Sequence, residues 1–255
     1  MNLSYRIYYV WKRNLISYKR FVIPTLLVSM GEPLFYLLTF GIGLGTYIGL
    51  IGGRPYLNFL VPGILMSATA IAATYECLYG AFLHMVHEKL YDSLIATPIS
   101  AEDAVAGDIS WGVTRGLISG ILLIIVAAAL GVFPFTLIKL ILLFGLMVLV
   151  GILFASMAMI VTSFAPNFDF FNYYSELIIT PMLFFSGVFF PMDSFPGWVK
   201  IIAQFLPLTH AVVLSRAVMS GIYQPGLIFD LLVIIILEIF AFYLALVFMK
   251  RRLIK

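Results

Sequence analysis

Six stretches of this chain are apolar for roughly 20 residues or more, long enough to cross the hydrocarbon core of a bilayer as helices. They lie at about 22–46, 57–81, 105–131, 136–163, 172–192 and 227–249. A segment in lipid has no water to bond its backbone, so it must close its own hydrogen bonds, and a helix does so. Composition removes the alternative of a water-soluble core. Of 255 residues, 63% are hydrophobic and 11% charged, and the mean hydropathy is +1.10. A soluble domain carries roughly 25% charged residues. The expectation is an all-α membrane protein, one bundle of six transmembrane helices with little mass outside the bilayer.

Turn signals separate the runs: Gly52-Gly53-Arg54-Pro55, the polar stretch from His84 to Asp108, Gly131 to Pro134, and Ala165-Pro166-Asn167. The stretch from Phe195 to Pro225 is apolar but broken by Pro196, Gly197, Pro207, Gly221 and Pro225. Helical pieces that dip into the membrane and return are expected there. Residues 1–20 are polar, basic and aromatic, without the apolar core of a cleavable signal peptide.

Lys and Arg set the orientation. With a cytoplasmic N-terminus, that side collects Arg6, Lys12, Arg13, Lys19, Arg20, Lys89, Arg115, Lys250, Arg251, Arg252 and Lys255; the other keeps Arg54, Lys139, Lys200 and Arg216. An even number of spans returns the C-terminus to the same side. The first segment is amphipathic: at about 100° per residue, Leu3, Ile7, Val10, Trp11, Leu15 and Tyr18 share one arc and the basic residues the other. Such a helix lies on the cytoplasmic membrane surface, either as an anchor on anionic lipid or as a docking surface for a partner. The net charge of +3 is too small to imply nucleic acid. The one cysteine, Cys77, permits neither an intrachain disulfide nor a cysteine metal cluster.

Several motifs fail on inspection. None of the lysines follows a glycine, so the G-x-x-x-x-G-K-[ST] phosphate loop is missing and any ATP hydrolysis must come from another chain. Gly41-Ile42-Gly43-Leu44-Gly45 has no strand before it; Gly41, Gly45 and Gly49 suit close helix packing better. His84, His87 and Glu88 read H-x-x-H-E rather than the zinc-protease H-E-x-x-H, and solvated loop residues are the simpler account. Glu32, Glu76, Glu176, Glu238 and Arg115 fall in or near apolar spans. Ionisable groups there face a bundle interior or a watery path, as a proton relay or as the polar lining of a substrate route. Phe184, Phe185, Ser186 and Phe189 form an aromatic cluster that is either packing or substrate lining.

Together these features resemble the type-2 integral membrane subunits of ATP-binding-cassette exporters, nearest to the nodulation-factor and daunorubicin exporter permeases. Its most specific stretch contains Val161-Thr162-Ser163-Phe164-Ala165-Pro166, the run Pro181 to Pro191, Phe205-Leu206-Pro207-Leu208-Thr209-His210, and Arg216-Ala217-Val218-Met219-Ser220-Gly221. Glu32-Pro33-Leu34-Phe35-Tyr36 and Leu94-Ile95-Ala96-Thr97-Pro98-Ile99-Ser100 support it.

The resemblance implies an amphipathic interface helix over 1–21 and a transmembrane domain over 22–255. Within that domain it implies a coupling helix at about 82–98 and re-entrant helices at about 195–221. Glu88, Lys89, Asp92, Arg13 and Arg20 would meet a cytoplasmic ABC ATPase carrying ATP and Mg, and this chain would bind no cofactor. Glu32, Phe184, Phe185, Ser186 and Phe189 would line the substrate path. A second permease copy and membrane lipids are the other implied partners, with the plasma (inner) membrane the location and an amphiphile (lipo-oligosaccharide, glycolipid or drug) exported by alternating access. Two other classes remain: an ion-coupled transporter using Glu32, Glu176 or Glu238, and a membrane transferase using His84, His87 and Asp92.

Overall fold

Apolar runs bounded by Pro and Gly fold into ten helices among the described residues. The computed structural model describes residues 3–20, 22–51, 53–132, 136–223 and 225–254. Gly52, Phe133 and Pro134 of the expected turns, and Met1, Asn2 and Phe21 of the N-terminal segment, lie outside them. The helices are α1 (Ile7–Tyr18), α2 (Pro24–Ile48), α3 (Tyr56–His87), α4 (Leu90–Ile95), α5 (Ala101–Ala129), α6 (Leu137–Phe164), α7 (169–185), α8 (Gly197–Gln204), α9 (Pro207–Ser220) and α10 (Leu227–Leu253). Five of them, α2, α3, α5, α6 and α10, are long and apolar enough to cross a membrane; α8 and α9, bent by 89°, make a sixth if taken as one span. The chain is a multi-pass membrane protein.

Two elements depart from the expected boundaries. The run at 172–192 stops being helical at Phe185, because the chain turns at Ser186 and Gly187 takes a φ of 74°. α7 is therefore about 17 residues and about 26 Å long, at the short limit for a span. The segment 82–98 is not one helix. Its first residues continue α3, which runs to His87 through π-helical turns at Glu76–Gly80 and Leu83–His87. Lys89, left-handed at φ 48°, then breaks the path, and only the short α4 follows. A capping box ends the loop: Asp103 N donates to Ser100 Oγ at 3.0 Å, and the Asp103 carboxylate accepts from Ser100 N.

α3 is the centre of the bundle, with Leu60, Ile64, Leu65, Met66, Ala70 and Ala73 all buried. α5 presses against it through a stripe of small residues. A Cβ on Gly116 would stand 2.7 Å from the Thr69 carbonyl oxygen, closer than real Cβ atoms come. Gly41 serves α2 in the same way against Leu57, and Gly45 reaches Tyr56 at ordinary distance. Gly49 instead ends the helix, at φ 72° with open space around it.

Basic side chains hold helix ends that have run out of partners. Arg252 gives its two terminal nitrogens to the Thr162 and Ala165 carbonyls, each at 2.7 Å. Arg216, in the stretch expected to be re-entrant helix, lies half-buried in α9, with its guanidinium 3.6 Å over the Phe59 ring. It donates to the Gly187 and Val188 carbonyls, so it braces the break after α7. At the bend between α8 and α9, one ring nitrogen of His210 is 2.9 Å from the Gln204 carbonyl and the other 2.6 Å from Asp230 of α10.

Candidate functional site: a membrane cavity and a polar knot beneath it

Pro33 lacks the N–H that would continue the hydrogen-bond ladder of α2, and the helix relaxes into π-helical geometry over Leu37–Leu44. The first π turn of α3 begins at Glu76 and re-aims that side chain. Between these irregular stretches and α5 lies a cavity of about 310 Å³. One wall is apolar and aromatic, with Ile64, Ile71, Tyr36, Tyr75 and Tyr79. The polar side carries Glu32, Glu76, Arg115, Ser67 and Ser119.

The charges there are ordered. Arg115 Nε lies 3.1 Å from Glu76 Oε2, Trp111 Nε1 donates to Glu76 Oε1 at 2.9 Å, and the guanidinium stands 4.7 Å over the Tyr18 ring. Glu32 accepts from Tyr36 Oη at 2.9 Å. Arg115, expected in or near an apolar span, is thus a partner of Glu76.

Of the residues expected on the substrate path, the structure brings only Glu32 to this cavity. Phe189 is fully buried, packed on Phe40 at 4.7 Å, Tyr36 at 5.3 Å and Phe184 at 5.4 Å. Its carbonyl accepts from Tyr56 Oη at 2.7 Å. Ser186 is buried, while Phe184 and Phe185 are part-exposed, with Phe185 facing a separate apolar groove against Trp198. The glutamates of an ion relay do not converge: Glu32 faces the cavity, Glu176 is exposed on α7, and Glu238 is half-buried on α10.

Below the cavity four elements meet at Asp108 of α5. The fully buried carboxylate accepts from Asn14 Nδ2 of α1 at 2.6 Å and from Tyr91 Oη of α4; His84 Nδ1, at the end of α3, lies 3.3 Å away. Burial first, then the Asp108 charge, push the Tyr91 hydroxyl well above its ordinary range, so it remains a donor. Ser4 adds its N–H and hydroxyl to Asp103 at 2.7 and 2.9 Å, Trp11 donates to Thr114 at 2.8 Å, and Val10 fills the space that Gly107 leaves. α1 is therefore bolted to α5 as well as amphipathic.

The expected coupling residues surround this knot. Glu88, Lys89 and Asp92 are exposed on the loop, Arg20 is exposed on the chain after α1, and Arg13 is half-buried with Nη2 3.0 Å from His84 Nε2. His84, His87 and Asp92 do not form one site: His84 belongs to the knot, and the His87 ring stacks on Phe168 at 5.4 Å. Asp108 itself was not anticipated. Its one sequence signal is an acid placed two turns inside an apolar helix that starts at a capping box.

Long apolar helices with irregular turns around a cavity define a polytopic membrane protein. A family model for the ABC-2 type transporter matches residues 5–220, and the chain belongs to that family. It is 35% identical over 246 residues to nodulation protein J of Rhizobium leguminosarum bv. trifolii, covering 96% of this chain and 93% of the relative. Nodulation protein J of Sinorhizobium fredii is 34% identical over 247 residues, with coverage of 96% and 93%. The inner membrane transport permease YadH of Escherichia coli is 27% identical over 237 residues, covering 92% of this chain and 90% of the relative.

Proposed function

We propose that this chain is the membrane-spanning subunit of an ATP-driven exporter. In this reading a cytoplasmic ABC ATPase, which carries the ATP and Mg, works on a dimer of such subunits in the plasma (inner) membrane. In the same reading α7 is the sixth span beside α2, α3, α5, α6 and α10, both termini are cytoplasmic, the bent pair α8–α9 re-enters from the other side, and an amphiphile leaves by alternating access. A lipo-oligosaccharide, a glycolipid or a hydrophobic drug fits this cargo class.

One observation carries the reading. The loop bearing Glu88, Lys89 and Asp92 is exposed, yet Tyr91 beside them is tied to Asp108 inside α5. A push on α4 from an ATPase is transmitted to α1, α3 and α5 together, and the cavity lies between α3 and α5 a few turns above. Glu32 and the Glu76–Arg115 pair would hold the polar part of the cargo, and the tyrosines its apolar part.

The test is to purify the tagged chain gently, identify a co-purifying ATPase, and reconstitute the complex with a fluorescent amphiphile. Glu88→Arg is expected to abolish ATP-driven movement while the complex still hydrolyses ATP. Unchanged ATP-driven export would remove Glu88 from coupling. Transport by the chain without any ATPase, on a proton gradient alone, would overturn the proposal.

A further inference from the structure

At the end of the bundle opposite α1 a larger cavity, of about 590 Å³, opens between the start of α3, the end of α5, the start of α6 and the end of α9. Arg54, Lys139 and Arg216 border it, and among the described residues no Asp or Glu does. In sequence, the stretches 49–59, 130–139 and 216–229, to which most of the lining residues belong, contain no acidic residue either. The nearest acid beyond them in sequence, Asp230, is already engaged by His210 at 2.6 Å.

Helix capping explains part of this arrangement. Lys139 Nζ donates to the Met219 carbonyl at 3.0 Å, and Arg54 Nη2 lies 3.5 Å from the Ser220 carbonyl. Both are in the last turn of α9, where the helix end carries a partial negative charge of roughly half an electron. Three full positive charges exceed what that end neutralises. An ammonium has three donors and a guanidinium five, more than the carbonyl bonds employ. Arg216 is fixed in place by the Phe59 ring and the Gly187 and Val188 carbonyls, so its charge needs no reorganisation to receive a ligand. Asn58 adds a neutral amide, and Ile51, Val132 and Ile222 supply an apolar rim.

We propose that this cavity is a binding site for a phosphate-type oxyanion, borne on a lipid headgroup or presented free or on cargo. The cations reach it from three separate elements, α3's entry turn, α6 and α9. The site stands apart from the cargo cavity and does not depend on how transport is energised.

Native mass spectrometry of the detergent-solubilised full chain, with phosphatidylglycerol or phosphatidylcholine of the same acyl length, tests the proposal. Retention of the first phosphatidylglycerol is expected to exceed that of phosphatidylcholine by about tenfold, the size of one charge-assisted hydrogen bond. Arg54→Gln removes one cation, and Asn58→Asp keeps every cation while adding a carboxylate of the same shape. Each is expected to abolish the preference. If millimolar inorganic phosphate displaces the lipid, the anion itself is recognised; if not, the lipid headgroup is the ligand. Equal retention of the two lipids by the unaltered chain, or a preference that survives in both variants, would overturn the proposal.

Discussion

Replacing Asp108 by Ala should cost about 4 kcal/mol. The carboxylate is the acceptor for Asn14 Nδ2 and Tyr91 Oη, both buried. A buried donor left without its acceptor costs about 1–3 kcal/mol, and two are orphaned. His84 is part-exposed and adds little. For a chain of this size 1 kcal/mol shifts the unfolding midpoint by about 2–4 °C, so a drop of about 8–16 °C is expected for the full chain in detergent. Asp108→Asn retains one acceptor oxygen and should lose about half as much. The sharper assay is a double-mutant cycle of Asp108→Asn with Tyr91→Phe, followed by thermal unfolding and by hydrogen exchange over residues 88–98. Because the two groups touch, a coupling energy of about 1–2 kcal/mol is expected, with faster exchange in the loop for either single variant. Effects that add within about 0.5 kcal/mol, with no change in loop exchange, would refute the idea that Asp108 ties the loop to the bundle.

Gly116→Leu should prevent α5 from seating on α3, with loss of folded protein on size-exclusion chromatography, whereas Gly145→Ala, which meets nothing within 4 Å, should be tolerated. Arg216→Gln should lose about 2–4 kcal/mol in thermal unfolding by orphaning the Gly187 and Val188 carbonyls, and Arg216→Lys should recover only part of it, since an ammonium lacks the planar fork. Lys250→Ala should lose less than about 1 kcal/mol in the same measurement despite a 2.7 Å pair with Glu102, because the Lys250 side chain is 49% exposed and the pair is screened.

Five of the six expected spans were legible because lipid demands long apolar helices, a constraint that composition satisfies in few ways. Helix ends were less so. The polar stretch after His84 reads as one loop, but Ser100 and Asp103 form a capping box inside it, and an S-x-x-D pattern was there to be seen. A span starting near residue 105 already puts Arg115 about three turns inside it, and with α5 starting at Ala101 it is about four turns in, where it meets Glu76. The stripe Gly112, Gly116, Gly120 has the same four-residue spacing as Gly41, Gly45 and Gly49, and Gly116 meets backbone where Gly41 meets the end of a leucine side chain. Nothing in the sequence separates Phe189, which is core, from Phe184 and Phe185, which are half outside it. That distinction arises from the turn at Gly187, which swings the following residues back against α2.

The basic residues that end these helices carry two kinds of information at once. Arg252 belongs to the excess of basic residues expected on one side of the membrane and Lys139 to the smaller set expected on the other, and they also tether the last carbonyls of α6 and α9. An experiment that moves positive charges to invert the chain in the membrane would therefore also unpick its joints. Misinsertion and loosening would arrive together, and only residues such as Lys12 and Lys19, which are exposed on or beside α1, allow the address of the protein to be rewritten without disturbing its carpentry.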